Sequence, residues 1–235
     1  MPIDPSRYES EYRVFLNRLP NLSVAGQADL IANLARLLPD FHHIDDNTKS
    51  AEYYRIFQQW VQRLSQSHLG APIGALAEVM WVVPQTQIPE YFANLRRMTL
   101  SLPTHQLGSA LRYLPHVLEY LPPALQAYEF SLLAPAIQRV EPAQRTAAAL
   151  GLLESTALLD NTVTKQVWQR ALRLLDGADE LDIMQVFQAK KILRLTWLLS
   201  PAQQEGAKIE IMAFIKRNKL TQNTIDRLHI YLARF

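Results

Sequence analysis

The sequence predicts an all-α protein of about six antiparallel helical hairpins, stacked as a right-handed α-solenoid. Apolar residues recur three and four positions apart through most of the 235 residues, which is the spacing of one helix face. There are only seven glycines, and the fourteen prolines fall largely where such helices would begin or end. Only the segment 80–83 has the character of a strand, and it lies inside a helical pattern, so no sheet is expected.

Leu-Pro pairs mark a repeat of two helices. They occur at 19–20 and 38–39, and again at 102–103 and 121–122, so each couple spans nineteen residues around one amphipathic helix. Equivalent segments open at Ser65, Pro142 and Asp176, which makes the repeat step 34–45 residues. A second amphipathic helix is predicted before each of these segments, at 6–19, 53–64, 89–102, 124–140 and 163–175.

A single hairpin cannot cover its own apolar stripe, so neighbouring hairpins must stack against each other. The chain is therefore predicted to form one domain, 1–235, with its longest connection at 41–51. Asp176 and Ser200 are predicted to cap helices, and Pro115 and Pro135 are each expected to kink or break a helix. The predicted hairpins are 6–39, 53–84, 89–122, 124–159, 163–199 and 201–235.

The repeat step falls in the range of tetratricopeptide and HEAT repeats. The Trp, Leu-Gly and Tyr signature of tetratricopeptide repeats is absent, as is the ankyrin Thr-Pro-Leu-His. Over most of 8–235 the chain therefore resembles HEAT-like α-hairpin repeat proteins, which implies a superhelix with a binding surface. The Leu-Pro spacing is also similar to that of helical repeats in secreted plant-pathogen effectors and in organellar RNA-binding proteins. Neither family's Trp-Pro motif occurs, so no residue roles are transferred.

Composition excludes several classes of chemistry. With no cysteine, the chain has no disulfide, no thiolate nucleophile and no Cys-ligated metal. It lacks an apolar run long enough for a spanning helix, and its start lacks the features of a signal peptide, so a cytoplasmic location without membrane insertion is expected. Zero cysteine suits an exported protein equally well, which leaves a bacterial effector, secreted without a signal peptide, as an alternative.

Signatures of catalysis are also missing. The chain has no Gly-rich phosphate loop, no Gly-x-Ser-x-Gly and no His-Glu-x-x-His, so no catalytic residue and no cofactor is predicted and an enzyme is the less favoured class. One candidate metal site consists of His42, His43, Asp45 and Asp46, since imidazoles and carboxylates are ligands of divalent metals. We favour the alternative, a polar connector that caps the helix starting near Ser50.

Aromatic side chains suggest a candidate contact surface for a protein partner. Tyr53, Tyr54, Phe57 and Trp60 fall on one predicted helix, where spacings of three and four residues place them on a shared face. Such a stripe is usually core, and any part of it that is exposed would be an interaction hot spot. Trp168 and Trp197 are predicted to be packing residues.

Positive charge is concentrated near the C-terminus. Residues 181–235 carry nine Lys and Arg against four Asp and Glu, an excess of +5. Six of the basic residues form two groups, Lys190, Lys191 and Arg194 on a predicted helix 182–199, and Lys216, Arg217 and Lys219 at the next helix end. The predicted function is a non-catalytic scaffold that binds another protein, and the alternative is nucleic-acid binding through these residues. A purely structural reason is compensation of a helix dipole at a C-terminus.

Overall fold

In the computed structural model, residues 5–44 and 48–235 are described, and this part of the chain is helical with no strand. The prediction of an all-α protein is therefore confirmed, and 80–83 begins with a 3-10 turn, Met80–Val82. In chain order the α-helices are α1 (Pro5–Arg18), α2 (Val24–Arg36), α3 (Leu38–Ile44), α4 (Thr48–Val61), α5 (Gly70–Glu78), α6 (Ile88–Leu100), α7 (Leu107–Leu111), α8 (Pro123–Gln138), α9 (Arg145–Glu154), α10 (Asn161–Leu174), α11 (Glu180–Gln188), α12 (Lys190–Leu198), α13 (Pro201–Arg217) and α14 (Gln222–Leu232).

The five helices predicted to open the pairs are present as α1, α4, α6, α8 and α10, each within a few residues of its expected bounds. Most of the segments expected to form the second helix as one continuous rod are divided instead, although α2 is a single helix of 13 residues. A short α-helix there is followed by a 3-10 helix, as at Leu114–Tyr120 and Ser155–Leu158. Pro115 breaks the rod as predicted, because α7 ends at Leu111 and the proline lies in the first turn of the 3-10 helix. In contrast, α8 runs on through Pro135.

Three further expectations are wrong. The helix predicted over 182–199 is two helices, α11 and α12, because Ala189 has an extended backbone (φ −57°, ψ 131°). The long connection expected at 41–51 is helical through Ile44 and again from Thr48. Asp176 caps no helix, since Asp179 precedes α11, whereas Ser200 accepts a bond from the Gln203 amide as predicted.

Helices of successive pairs contact one another in chain order. The second helices of the pairs, α2, α5, α7, α9, α11 and α14, each contact the next one in this order. The first helices α6, α8, α10 and α13 likewise each contact the next. Side-chain hydrogen bonds follow the same rule. Apart from the bond from Tyr12 to the Leu34 carbonyl, the long-range ones in the described chain join residues 34–44 positions apart. This separation equals the predicted repeat step.

Glycines allow the closest approaches in the second series. A Cβ at Gly74 on α5 would run into the carbonyl oxygen of Ser109, next to it on α7. A Cβ at Gly151 on α9 would run into the carbonyl oxygens of both Leu111 and Arg112. The helices can therefore pack backbone against backbone only where no side chain intervenes.

One apolar cluster extends from Tyr12 to Tyr231 through the successive pairs. Its largest fully buried side chains include Trp168, Tyr54 and Phe92, so the prediction that Trp168 packs in the core is confirmed. Within the described ranges, no helix combines the length and the apolar character needed to cross a bilayer.

Candidate functional site

The aromatic stripe of α4 belongs to the core. Tyr53, Tyr54 and Phe57 are buried, and Trp60 is half-buried. The ring of Tyr53 contacts that of Tyr12, with centroids 4.8 Å apart. An anchor for a partner has to be accessible, so the core interpretation replaces the partner-binding one for the three buried residues.

The candidate metal ligands lie at the edge of the described structure. His42 and His43 belong to α3, but their side chains are outside the described part, as are Asp45 and Asp46 entirely. Among the side chains that are described, no three His, Asp or Glu residues are grouped closely enough to hold a metal ion.

The two basic groups do not form one patch. Lys216, Arg217 and Lys219 lie at the C-terminal end of α13, whereas α12 ends just before the N-terminal start of that helix. Arg217 reaches Asp176, ahead of the start of α11, whereas Lys190 follows the end of α11, so this nine-residue helix, about 13 Å long, lies between the two groups. Arg217 is also held by Asp176, with Nε 2.8 Å from Oδ1, so the dipole and an ion pair explain this group.

The exposed face of α12 is defined here as Lys190, Lys191, Arg194, Trp197 and Leu198, and of its three cations only Lys191 has a carboxylate partner in the described structure. The indole of Trp197 is 85% exposed and Leu198 is 61% exposed. The prediction that Trp197 packs in the core is therefore wrong. The reason is that the buried side of α12 is already filled by Ile192, Leu195 and Thr196, which points Trp197 to solvent.

The lysines of α12 lie at the end of the helix where positive charge is unfavourable for helix stability. Lys190 and Lys191 occupy the first two positions of the helix, at the positive end of the dipole, where cations are unfavourable. Dipole compensation therefore does not explain these lysines. Lys190, Arg194 and Trp197 are spaced by four and three residues, so they share one face of the helix.

Neighbouring helices hold α12 in place. The Glu154 carboxylate, 3% exposed at the end of α9, accepts two bonds from the Arg112 guanidinium at 2.8 and 3.0 Å. The Lys191 Nζ lies 3.6 Å from the same carboxylate. On the other side, the Tyr231 hydroxyl of α14 donates to the Ile192 carbonyl at 3.1 Å. The exposed face is thus presented by a fixed helix.

His116 lies beside this ion pair, with Nε2 3.8 Å from the Glu154 carboxylate. Burial lowers the pKa of His116 to about 4, although the Glu154 charge acts in the opposite direction. The imidazole is therefore neutral near pH 7, and the contact with Glu154 is not an ion pair there. Its Nε2 atom has no hydrogen-bond partner in the described structure.

The exposed face of α12 combines a large apolar ring, a leucine and three cations on one short helix, which suits a ligand that is both acidic and apolar. A comparison with protein-family models, curated proteins and solved structures finds no match for this chain. The sequence analysis singled out the three cations of this face but missed Trp197 and Leu198. The spacing of Trp197 from Lys190 and Arg194 was the signal that could have found it.

Proposed function

We propose that this protein is a non-catalytic protein-binding scaffold, an α-solenoid that docks an acidic segment of a partner protein on the exposed face of α12. The observation that carries the proposal is the 85% exposure of Trp197 on the same face as Lys190 and Arg194. Trp197 and its neighbour Leu198 are both exposed, so they form an apolar patch rather than a single exposed residue, and such patches are typical of interaction sites.

The solenoid arrangement is supported by the order of the contacts. Each second helix touches the next one along the chain, and the long-range hydrogen bonds join residues about one repeat apart. Stacked hairpins of this kind create extended surfaces suited to peptides and partner helices. The right-handed twist, the cytoplasmic location and the alternative of a secreted effector stay predictions.

The chemistry of the partner follows from the chemistry of the surface. Trp and Arg are the residues that most often dominate binding at interfaces, because a large ring or guanidinium can be fully desolvated against a partner. Lys190 and Arg194, which share a face with Trp197, favour Asp and Glu on the partner, and Trp197 with Leu198 favours a large apolar residue between them.

A protein partner is favoured over nucleic acid because the positive charge is confined to a short stretch of α12. A nucleic-acid strand needs a basic track along several nucleotides, and the second basic group lies at the opposite end of α11 with Arg217 already paired. On α12 itself, Lys191 is shared with the buried Glu154 carboxylate.

The proposal is tested by selecting binders from a phage-displayed peptide library and measuring their affinity by fluorescence anisotropy. We expect selected peptides to contain Asp or Glu beside a large apolar residue. Trp197→Ala should weaken their binding by about 30-fold, because losing an interface tryptophan costs about 2 kcal/mol or more. Lys190→Glu with Arg194→Glu should weaken it further through charge repulsion.

Lys165→Glu is the matched control, because Lys165 is exposed on α10 away from this face, and it should leave affinity unchanged. If the selected peptides contain no acidic residues, or if Trp197→Ala leaves their affinity unchanged, the exposed face of α12 is not the docking site. A labelled single-stranded RNA or DNA that binds through Trp197 and dissociates steeply with salt would replace the protein partner by nucleic acid.

A further inference from the structure

A second surface feature lies between α8, α9 and α10, and none of the residues that line it belongs to α12. A cavity of about 300 Å³ there has an apolar side made by Ile137, Val140 and Leu174. Its polar side carries three guanidinium groups, contributed by Arg145, Arg170 and Arg173. The volume is at the lower end of the ~300–1,000 Å³ of small-molecule sites.

Unlike Arg96, Arg112 and Arg139, these three arginines have no carboxylate or carbonyl partner in the described structure, although they line one cavity. Arg96 and Arg112 form ion pairs at 2.7 and 2.8 Å, and Arg139 donates to two carbonyls. For Arg145, Arg170 and Arg173 the described structure contains no ion pair and no hydrogen bond to the side chain. Three such groups around one cavity repel each other unless an anion joins them.

The one carboxylate on the cavity wall is already neutralised. Asp176 accepts two bonds from Arg217 Nε, at 2.8 and 3.0 Å, and a third from Asn218 Nδ2 at 2.9 Å. Its charge is thus balanced outside the cavity, and the three arginines stay uncompensated.

One of the three arginines is held in position by an aromatic ring. Arg170 is half-buried with its guanidinium carbon 5.9 Å from the centre of the Phe130 ring, a cation–π contact. Arg145 is half-buried at the first position of α9, where the positive end of the helix dipole adds to its own charge. Arg173 is exposed at the rim.

We infer that this cavity binds a small organic phosphate monoester. Planar guanidinium groups match phosphate oxygens in paired hydrogen bonds, and three of them can neutralise a dianion. The organic group of the ligand would then cover the apolar side formed by Ile137, Val140 and Leu174. Neither feature belongs to the proposed docking face of α12.

Isothermal titration calorimetry with phenyl phosphate, inorganic phosphate and phenol tests the inference. We expect saturable binding of phenyl phosphate at low salt, weaker binding of inorganic phosphate, and none of phenol. Arg145→Gln, Arg170→Gln and Arg173→Gln should each weaken phenyl phosphate by about tenfold, since each removes charged hydrogen bonds.

Arg97→Gln is the control, because Arg97 is exposed on α6 outside the cavity, and it should bind as the wild type does. Trp197→Ala should also leave this binding unchanged, which separates the inference from the proposed function. If circular dichroism shows that Arg170→Gln is unfolded, the affinities of Arg145→Gln and Arg173→Gln for phenyl phosphate test the site. Absence of saturable binding, or an equal loss in Arg97→Gln, would overturn the site. Equal affinity for both phosphates would overturn the role of the apolar side.

Discussion

Replacing Gly151 by alanine should lower the free energy of unfolding by about 2–3 kcal/mol, as forced overpacking does. The new Cβ would collide with the carbonyl oxygens of Leu111 and Arg112, which are backbone atoms and cannot rotate away. To relieve the collision, α9 and α7 must separate, and this disturbs the Arg112–Glu154 pair next to it. Urea denaturation followed by circular dichroism measures the change.

Gly206→Ala is the matched control, because it makes the same chemical change inside α13, where the new methyl would meet no atom of another helix within 4 Å. It should raise the free energy of unfolding by about 0.5–1 kcal/mol, which is the helix preference of alanine over glycine. If both variants are stabilised equally, α7 and α9 do not pack as closely as described.

Acidification should destabilise the fold through His116, by up to about 3 kcal/mol between pH 6.5 and pH 4. The folded-state pKa of His116 is about 4, below the ordinary value of 6.5, chiefly because the side chain is buried. Over that window the unfolded chain takes up a proton that the folded chain does not, so stability falls as pH falls. Urea denaturation at a series of pH values measures the slope.

The difference between the wild type and His116→Gln isolates this effect, because other groups in the protein also respond to pH. Burial raises the pKa of Glu119, three residues along the chain from His116, which opposes the trend as pH falls. The His116→Gln variant should have a flatter stability profile between pH 6.5 and 4. Parallel profiles for both proteins would mean that His116 is not buried as a neutral base.

Much of the fold was predictable from local pattern. The helices that open the pairs were placed within a few residues, because an amphipathic stripe and flanking prolines define both the face and the ends of a helix. The second helices were harder, since their segments change from α to 3-10 geometry without losing the three- to four-residue spacing. The glycine contacts, such as that of Gly151, could not be predicted, because they depend on which backbone lies opposite in the next pair.

The candidate site was only half predictable. Clustered lysines are visible in a sequence, so Lys190 and Lys191 were found, but exposure of Trp197 depends on the break at Ala189 that starts a new helix. The burial of Tyr53 and Phe57 likewise depends on helices α1 and α3 covering them. Spacing defines a shared face, whereas tertiary packing decides whether that face meets core or solvent.

Distances between spin labels along the second helices test most directly whether the pairs stack in chain order. Because the chain has no cysteine, labels can be attached at introduced cysteines alone, for example at exposed Asn33 on α2, Ser109 on α7 and Gln185 on α11. Neighbouring helices pack about 10 Å apart, and α7 and α11 are two and four helices along the series from α2. Double electron–electron resonance should therefore give about 20 Å between labels at 33 and 109 and about 40 Å between labels at 33 and 185. A distance from 33 to 185 no longer than that from 33 to 109 would mean that the pairs close into a single bundle, and the extended binding surface would be lost with it.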